Sequence, residues 1–178
     1  VGEVVAATLA RRGGQLLLVS RSYDEVKEPV ADLSASGFAA SCYASHLADA
    51  AAVVALATQI HGAHGGRLNN VVHLAGGFAL TGPIPDSDPL QVDRMMRINY
   101  HTAFNVARAF MRAVRDASGS FVFFASENVL EGARTKGSAG YTAAKSAVVA
   151  LMRPLADEGR ELGVRANALA PASIRTAT

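Results

Sequence analysis

Five short, mainly apolar runs, separated by stretches long enough for helices, constrain this chain more than any other feature. They are Leu16–Val19, Phe38–Tyr43, Val71–Leu74, Phe121–Phe124 and Val164–Leu169. A run this short and continuous suits a strand covered on both faces, because it leaves no polar side for water. The intervening stretches read as helices. Val4, Val5, Ala7, Leu9 and Ala10 make an opening helix that Gly13-Gly14 stops, with Arg11-Arg12 at its cation-favouring end. The polar stretch Ser22–Ser36 holds a short helix, with Pro29 near its start or breaking it. Asp49 caps a third helix through about Ile60, which the glycines from Gly62 to Gly66 end.

A long helix then starts at Ser87 or Asp88, with Pro89 in its first turn, and runs unbroken to about Arg115. The last helix covers about Tyr141 to Leu162, disturbed by Pro154 and Gly159. Strands alternating with helices need crossovers, which gives a mostly parallel sheet with right-handed connections. The expected fold class is therefore α/β: a Rossmann-like doubly wound parallel sheet in three α/β/α layers. Residues 1–178 read as a single domain without repeats, linkers or low-complexity segments.

Composition narrows the function classes. Half the residues are hydrophobic and 18% are charged, which argues against disorder. A formal net charge of +2, with no basic block, gives no footprint for nucleic acid. No apolar run is long enough for a membrane span and no signal peptide is visible, so a cytoplasmic protein is the simplest expectation. The single cysteine, Cys42, forms no internal disulfide and is expected to be a buried small hydrophobe. His61 and His64 have a spacing that permits metal binding, but no third ligand accompanies them, so no metal is expected. Met95, Met96 and Met111 read as packing residues.

The chemistry concentrates at Tyr141-Thr-Ala-Ala-Lys145, fifteen residues after Ser126. Residues four apart on a helix share one side, one turn above the other. An ammonium beside a phenol favours the phenolate and lowers a pKa that starts near ~10. Tyr141 is thereby a candidate proton donor and acceptor, and Ser126 supplies a hydroxyl to orient a carbonyl or alcohol.

With these residues in order, the chain resembles the short-chain dehydrogenase/reductase family from end to end. Val1-Gly2 looks like the tail of that family's glycine-rich dinucleotide loop. His73-Leu74-Ala75-Gly76 sits where the family has Asn-Asn-Ala-Gly. Asn99 matches the helix asparagine of the catalytic tetrad, and Ser126, Tyr141 and Lys145 match its other members. Pro171-Ala172-Ser173-Ile174-Arg175-Thr176 matches the Pro-Gly-x-x-x-Thr segment. The family's first strand, most of its glycine-rich loop and its final segment have no counterpart in 1–178, so the domain is expected to be incomplete. The Ser126-to-Tyr141 interval exceeds the family spacing slightly, which leaves Asn128 and Ser138 as substitutes for Ser126.

The resemblance implies hydride transfer between a nicotinamide cofactor and a ketone or secondary alcohol. Tyr141 would move the proton, Lys145 would lower the Tyr141 pKa and hold the nicotinamide ribose, Ser126 would bind the substrate oxygen, and Asn99 would hold a water linking Lys145 to solvent. Gly2, Ala75, Gly76, Pro171, Ile174 and Thr176 would complete the cofactor contacts. His46-Leu47 falls where the family often has an aspartate beside the adenine. The position that carries an acid in NAD-binding members is Ser20, followed by Arg21. That pair accepts a 2′-phosphate where an acid would repel it, so NADP(H) is expected, with NAD(H) as the alternative.

The implied partners are a small carbonyl or alcohol substrate and further copies of the chain. Ala144, Ala147 and Ala150 let another helix approach closely, and the family pairs these helices in a homodimer or homotetramer. The substrate wall comes from Phe78–Pro89 and Val129–Gly140, with Phe78, Leu80, Val129 and Leu130 giving it an apolar side. Two other readings use the same fold: a non-catalytic nucleotide-binding regulatory or scaffold protein, and a dehydratase or epimerase that still needs the cofactor.

Overall fold

The computed structural model describes residues 1–172 and 174. The chain divides into two compact units. One holds Val1–His46 and Ile174; the other begins at Leu47 and holds the remaining described residues.

In the first unit, β1 (Leu16–Ser20) and β2 (Ala40–Ala44) pair in parallel, Leu16 opposite Ala40 and Ser20 opposite Ala44. Helices α1 (Gly2–Arg11) and α2 (Asp24–Ala35) pack against this pair. Ala6 and Ala10 of α1 meet Leu16 and Leu33, with Leu9, Leu18 and Phe38 around them. Burying Leu16 and Leu33 contributes about 2 kcal/mol each. Pro29 neither starts nor breaks α2; it lies inside a helix of 12 residues. The buried Val26 and Leu33, seven apart, anchor the helix on either side of it, so packing outweighs the lost backbone bond. Strand β2 starts at Ala40 rather than Phe38, because the Phe38 N–H closes the end of α2 on Leu33 O at 3.0 Å. Cys42 is half-buried rather than enclosed. It lies beside the exposed Tyr23 phenol, whose pKa it raises through a hydrogen bond and then through charge.

In the second unit, β3 (Asn70–His73), β4 (Ser120–Phe124) and β5 (Arg165–Leu169) form a parallel sheet in the order β3-β4-β5. Phe121 and Phe123 are fully buried on one face of β4, their rings stacked with centroids 6.0 Å apart. Helix α3 (Ala50–His64) begins as expected: Asp49 accepts from the Ala51 and Ala52 N–H groups at 2.8 and 3.2 Å. It ends at Gly65, in the left-handed region. Asp88 caps α4 (Pro89–Met95) by accepting from Leu90 N–H at 2.9 Å.

The expected single long helix is interrupted. A π-helical turn, Met96–His101, separates α4 from α5 (Thr102–Arg115). Helix α6 (Ala139–Arg160) runs through Pro154, starts two residues before Tyr141 and packs on β4 and β5. Its first turn lies close to α4, where a Cβ on Gly140 would come within 3.0 Å of Val92 Cα. Among the described residues the strands thus form two hydrogen-bonded sheets, of two and three strands. Strands β1 and β3 each pair along one edge only.

Candidate active site

In the second unit the candidate residues gather at the carboxyl ends of the parallel strands, where open α/β sheets leave room for ligands. His73 ends β3, Gly76 and Gly77 follow it, and Ser126 lies just past the end of β4. The loop after β5 joins them, with Glu127 N–H donating to Pro171 O at 3.0 Å.

Asn99 holds the first part of this arrangement. The π turn carries it inward, where it is fully buried. Its Nδ2 donates to Gly77 O and Met95 O, both at 3.0 Å, and its Oδ1 accepts from Gly77 N–H at 3.2 Å. The side chain therefore clamps the backbone after β3. Gly76 is required by this close approach: a Cβ there would run into Asn99 Oδ1 and come within 3.3 Å of Lys145 Nζ.

Lys145 is 6% exposed, and its Nζ donates to Phe124 O at 2.7 Å. Burial lowers its pKa to about 8. Close to it, His73 is 4% exposed, and its Nε2 has no hydrogen-bond partner. Burial, and then the charge of Lys145, push the His73 imidazole down to about 4. Neutral imidazole is the form that this enclosure favours.

Tyr141 is half-buried one turn before Lys145, whose Nζ lies 5.9 Å from the centre of its ring. The other neighbour is Phe78, edge-on at 4.9 Å. Loop pairing positions Phe78: Thr81 N–H donates to Gly137 O at 2.8 Å, which ties the loop after β3 to the loop before α6. Phe78, Leu80 and Leu130 are 62%, 65% and 55% exposed, so these wall residues are not core packing.

Ser126 is 8% exposed and caps a short 3-10 turn, Glu127–Val129. Asn128, named above as an alternative to it, is its hydrogen-bond partner. Ser126 Oγ donates to Asn128 Oδ1 and accepts from Asn128 N–H, both at 3.4 Å. Asn128 Nδ2 in turn donates to Ser138 Oγ at 3.2 Å and Thr142 Oγ1 at 3.4 Å. A cleft of about 310 Å³ lies alongside, lined by Glu127, Asn128 and Arg134.

In the first unit, Gly2 opens α1 at the surface, and Ser20 ends β1 with Arg21 next to it. Both engage Glu25 on α2: Ser20 Oγ donates to one carboxylate oxygen, and Arg21 pairs with the other at 3.5 Å. Ser45 Oγ is buried without a partner, His46 is exposed, and Ile174 is 46% exposed. Thr176 lies outside the described residues.

Three participants escaped the sequence reading. Glu25 stands one turn after Arg21, a spacing visible in the sequence. Asn105 is buried on α5 and donates to Leu47 O at 3.0 Å, fixing one of the expected adenine-side residues. Thr142 stood inside the Tyr–Lys motif, unmarked.

The pattern of the short chain dehydrogenase family matches residues 1–178. A 2-(S)-hydroxypropyl-CoM dehydrogenase of Xanthobacter autotrophicus is 30% identical, covering 98% of this chain and 67% of its own. A galactitol 2-dehydrogenase of Rhizobium johnstonii is 31% identical, covering 99% and 68%. The chain thus spans about two thirds of the length of these relatives. Among solved structures, a gluconate 5-dehydrogenase of Burkholderia cenocepacia, in complex with NADP and tartrate, superposes with a TM-score of 0.90. It is 28% identical and covers 98% of this chain and 68% of its own. A metagenomic short-chain oxidoreductase in complex with NADP gives a TM-score of 0.87 at 30% identity, covering 98% and 78%. The chain belongs to the short-chain dehydrogenase family, oxidoreductases of Rossmann-like α/β fold that exchange hydride between a nicotinamide dinucleotide and an alcohol or carbonyl compound.

Proposed function

We propose that this protein interconverts a ketone and a secondary alcohol with NADP(H), using Tyr141 to move the proton on the substrate oxygen. The observation that carries the reading is the buried Lys145 ammonium, lodged against Gly76 and Phe124 O one turn after Tyr141. The residues fit a dinucleotide. Nζ of Lys145 has three donor protons, of which Phe124 O takes one, leaving donors for ribose hydroxyls. The Arg21 side chain is 76% exposed and pairs with Glu25, so a phosphate can reach it. Ser20 and Arg21 would take the 2′-phosphate, and the backbone at Gly2, Ala75, Gly76, Pro171, Ile174 and Thr176 would complete the contacts. The bound cofactor supplies the hydride donor or acceptor.

The remaining chemistry belongs to the chain. Ser126 orients the substrate oxygen by hydrogen bonding. Tyr141 gives that oxygen a proton in reduction and takes one in oxidation. The Lys145 charge stabilises the negative charge that develops between tyrosine and substrate. Asn99 fixes the backbone beside Lys145 and so holds the ammonium and the cofactor wall in register. The exposed Phe78, Leu80 and Leu130 favour substrates with an apolar body. Pairing between copies through α5 and α6 is part of the same proposal; the exposed Phe104 and Ala150 support it, whereas Ala144, 0% exposed, packs inside the protomer and is not on that face. No helix among the described residues is long and apolar enough to cross a membrane, and we place the protein in the cytoplasm.

The test is Tyr141→Phe, which removes only the hydroxyl. Reduction of ketones such as acetophenone should fall by several orders of magnitude, with NADP(H) affinity within a few-fold of wild type. Turnover close to wild type would reject the assignment. Cofactor binding without turnover in the wild type would instead favour a non-catalytic nucleotide-binding protein.

A further inference from the structure

The cleft of about 310 Å³ beside Ser126 carries two opposite charges on its wall. Glu127 and Asn128, the two residues after Ser126, line it together with Gly132, Ala133 and Arg134. Successive turns pin this loop. Val129 N–H donates to Ser126 O at 3.1 Å, Leu130 N–H to Glu127 O at 2.9 Å and Ala133 N–H to Leu130 O at 3.3 Å. Gly132, with φ at 78°, lets the chain double back, so that Arg134 returns to the cleft that Glu127 begins.

Among the described residues, neither the Glu127 carboxylate nor the Arg134 guanidinium forms an ion pair or a side-chain hydrogen bond, and they do not pair with each other. The cleft therefore offers a carboxylate acceptor and a guanidinium fork to whatever enters it. A ligand of one charge satisfies one of them and is repelled by the other. A zwitterion satisfies both. Glu131 and Lys136, the other charges of the loop, do not line the cleft.

We propose that this cleft holds the headgroup of the substrate, and that the substrate is a β-hydroxy-α-amino acid or the matching 2-amino-3-oxo acid: Arg134 takes the carboxylate and Glu127 the ammonium. The inference rests on the hydride-transfer reading above and names its substrate class. In such a molecule the reacting carbon is bonded directly to the carbon that bears both charges. In the chain, the cleft begins one residue after Ser126, which orients the reacting oxygen. The remaining substituent is left to the exposed Phe78, Leu80 and Leu130, which suits an aryl or alkyl group. In oxidation the carbinol carbon gives hydride to NADP+ and its hydroxyl gives the proton to Tyr141, leaving the ketone.

Four ligands that share one benzylic carbinol test the inference. Phenylserine carries both charges, 3-hydroxy-3-phenylpropanoate lacks the ammonium, 2-amino-1-phenylethanol lacks the carboxylate, and 1-phenylethanol lacks both. Their Kd values are measured by calorimetry with NADPH present, which keeps the complexes unreactive; if the dinucleotide does not bind, the same titrations are made without it. Phenylserine should bind most tightly. In Arg134→Ala its preference over 2-amino-1-phenylethanol should fall about tenfold, the weight of a charge-assisted hydrogen bond. In Glu127→Gln its preference over 3-hydroxy-3-phenylpropanoate should fall about fivefold, and the latter should bind more tightly than to the wild type. Glu131→Gln should move neither ratio.

Equal wild-type affinity for phenylserine and 1-phenylethanol would overturn the inference. So would ratios that stay fixed in the Arg134 and Glu127 variants, or that move as far in Glu131→Gln. Oxidation of 1-phenylethanol by NADP+ without any preference for phenylserine would overturn it and leave the hydride-transfer reading intact. Phenylserine bound with both charge dependences but never oxidised would refute the hydride-transfer reading and leave the headgroup assignment standing.

Discussion

Acid should weaken this fold through His73 before most of its carboxylates protonate. In the folded chain the imidazole is held at about 4, against 6.5 when free. The fold accommodates the neutral form. Between those values the unfolded chain takes up a proton that the folded chain refuses, so stability falls as pH drops through 6.5 and levels off below about 4. A gap of about 2.5 units at about 1.4 kcal/mol per unit gives a loss of about 3 kcal/mol. That is a large share of the stability of a domain this size. The perturbation is His73→Asn, which keeps a polar side chain at the end of β3 and removes the titrating group. Urea unfolding of wild type and variant is measured from pH 7 to pH 4. The difference between them, rather than either curve alone, isolates His73 from the carboxylates that also titrate near pH 4. The wild type should lose about 3 kcal/mol more than the variant across the window. An NMR titration should place the His73 imidazole near 4, and Lys145→Met should raise it only partly, because burial is the larger cause. Parallel stability curves, or an imidazole that titrates near 6.5, would refute the reasoning.

Three other outcomes follow from the geometry. Lys145 is held low by burial, at about 8 against 10.5. Wild-type stability should therefore rise as pH increases from 8 to 10.5, relative to Lys145→Met, in alkaline urea unfolding. Gly76→Ala should cost about 1–3 kcal/mol by chemical denaturation, because the added methyl group collides with Asn99 Oδ1 and breaks its hold on Gly77. Glu25→Gln should tighten NADP+ binding by up to about fivefold by calorimetry, since an exposed pair with Arg21 is worth at most about 1 kcal/mol; in the Arg21→Ala background the gain should shrink to what Glu25 exerts through Ser20.

The parts of the fold visible in the sequence were those set by local pattern. The strands announced themselves because an apolar run without a polar face has few alternatives, and Asp49 and Asp88 capped helices where capping chemistry put them. Pro29 misled because a helix interior disfavours proline locally, whereas Val26 and Leu33 hold the turn from outside. The π turn was invisible because Met95, Met96 and Ile98 repeat at spacings that an α-helix also allows. At the site, Tyr141 and Lys145 were legible because four residues of helix bring them to one side. Asn105, and the links from Asn128 to Ser138 and Thr142, were not legible, because they join separate segments: Asn105 reaches Leu47 from 58 positions away. The burial that tunes His73 and Lys145 belongs to the packed sheet ends and has no local signature.

The π turn also sets rotational phase. Met95 and Val114, the buried residues on either side of it, are 1% and 0% exposed and nineteen positions apart. An uninterrupted α-helix advances about 100° per residue, so nineteen steps make five turns and overshoot by about 100°. The one extra residue in a π turn absorbs about that amount, and both side chains point inward. Deleting a residue between Met96 and His101 would remove the surplus and straighten the helix locally, at little cost in hydrogen bonds. Its two halves would then fall out of step: with Met95 kept inside, the apolar stripe of Ala103, Val106, Phe110 and Val114 would swing toward water. The insertion that delivers Asn99 to the site is therefore the same one that keeps the flanking helices facing the core, and a variant cannot discard the first without losing the second.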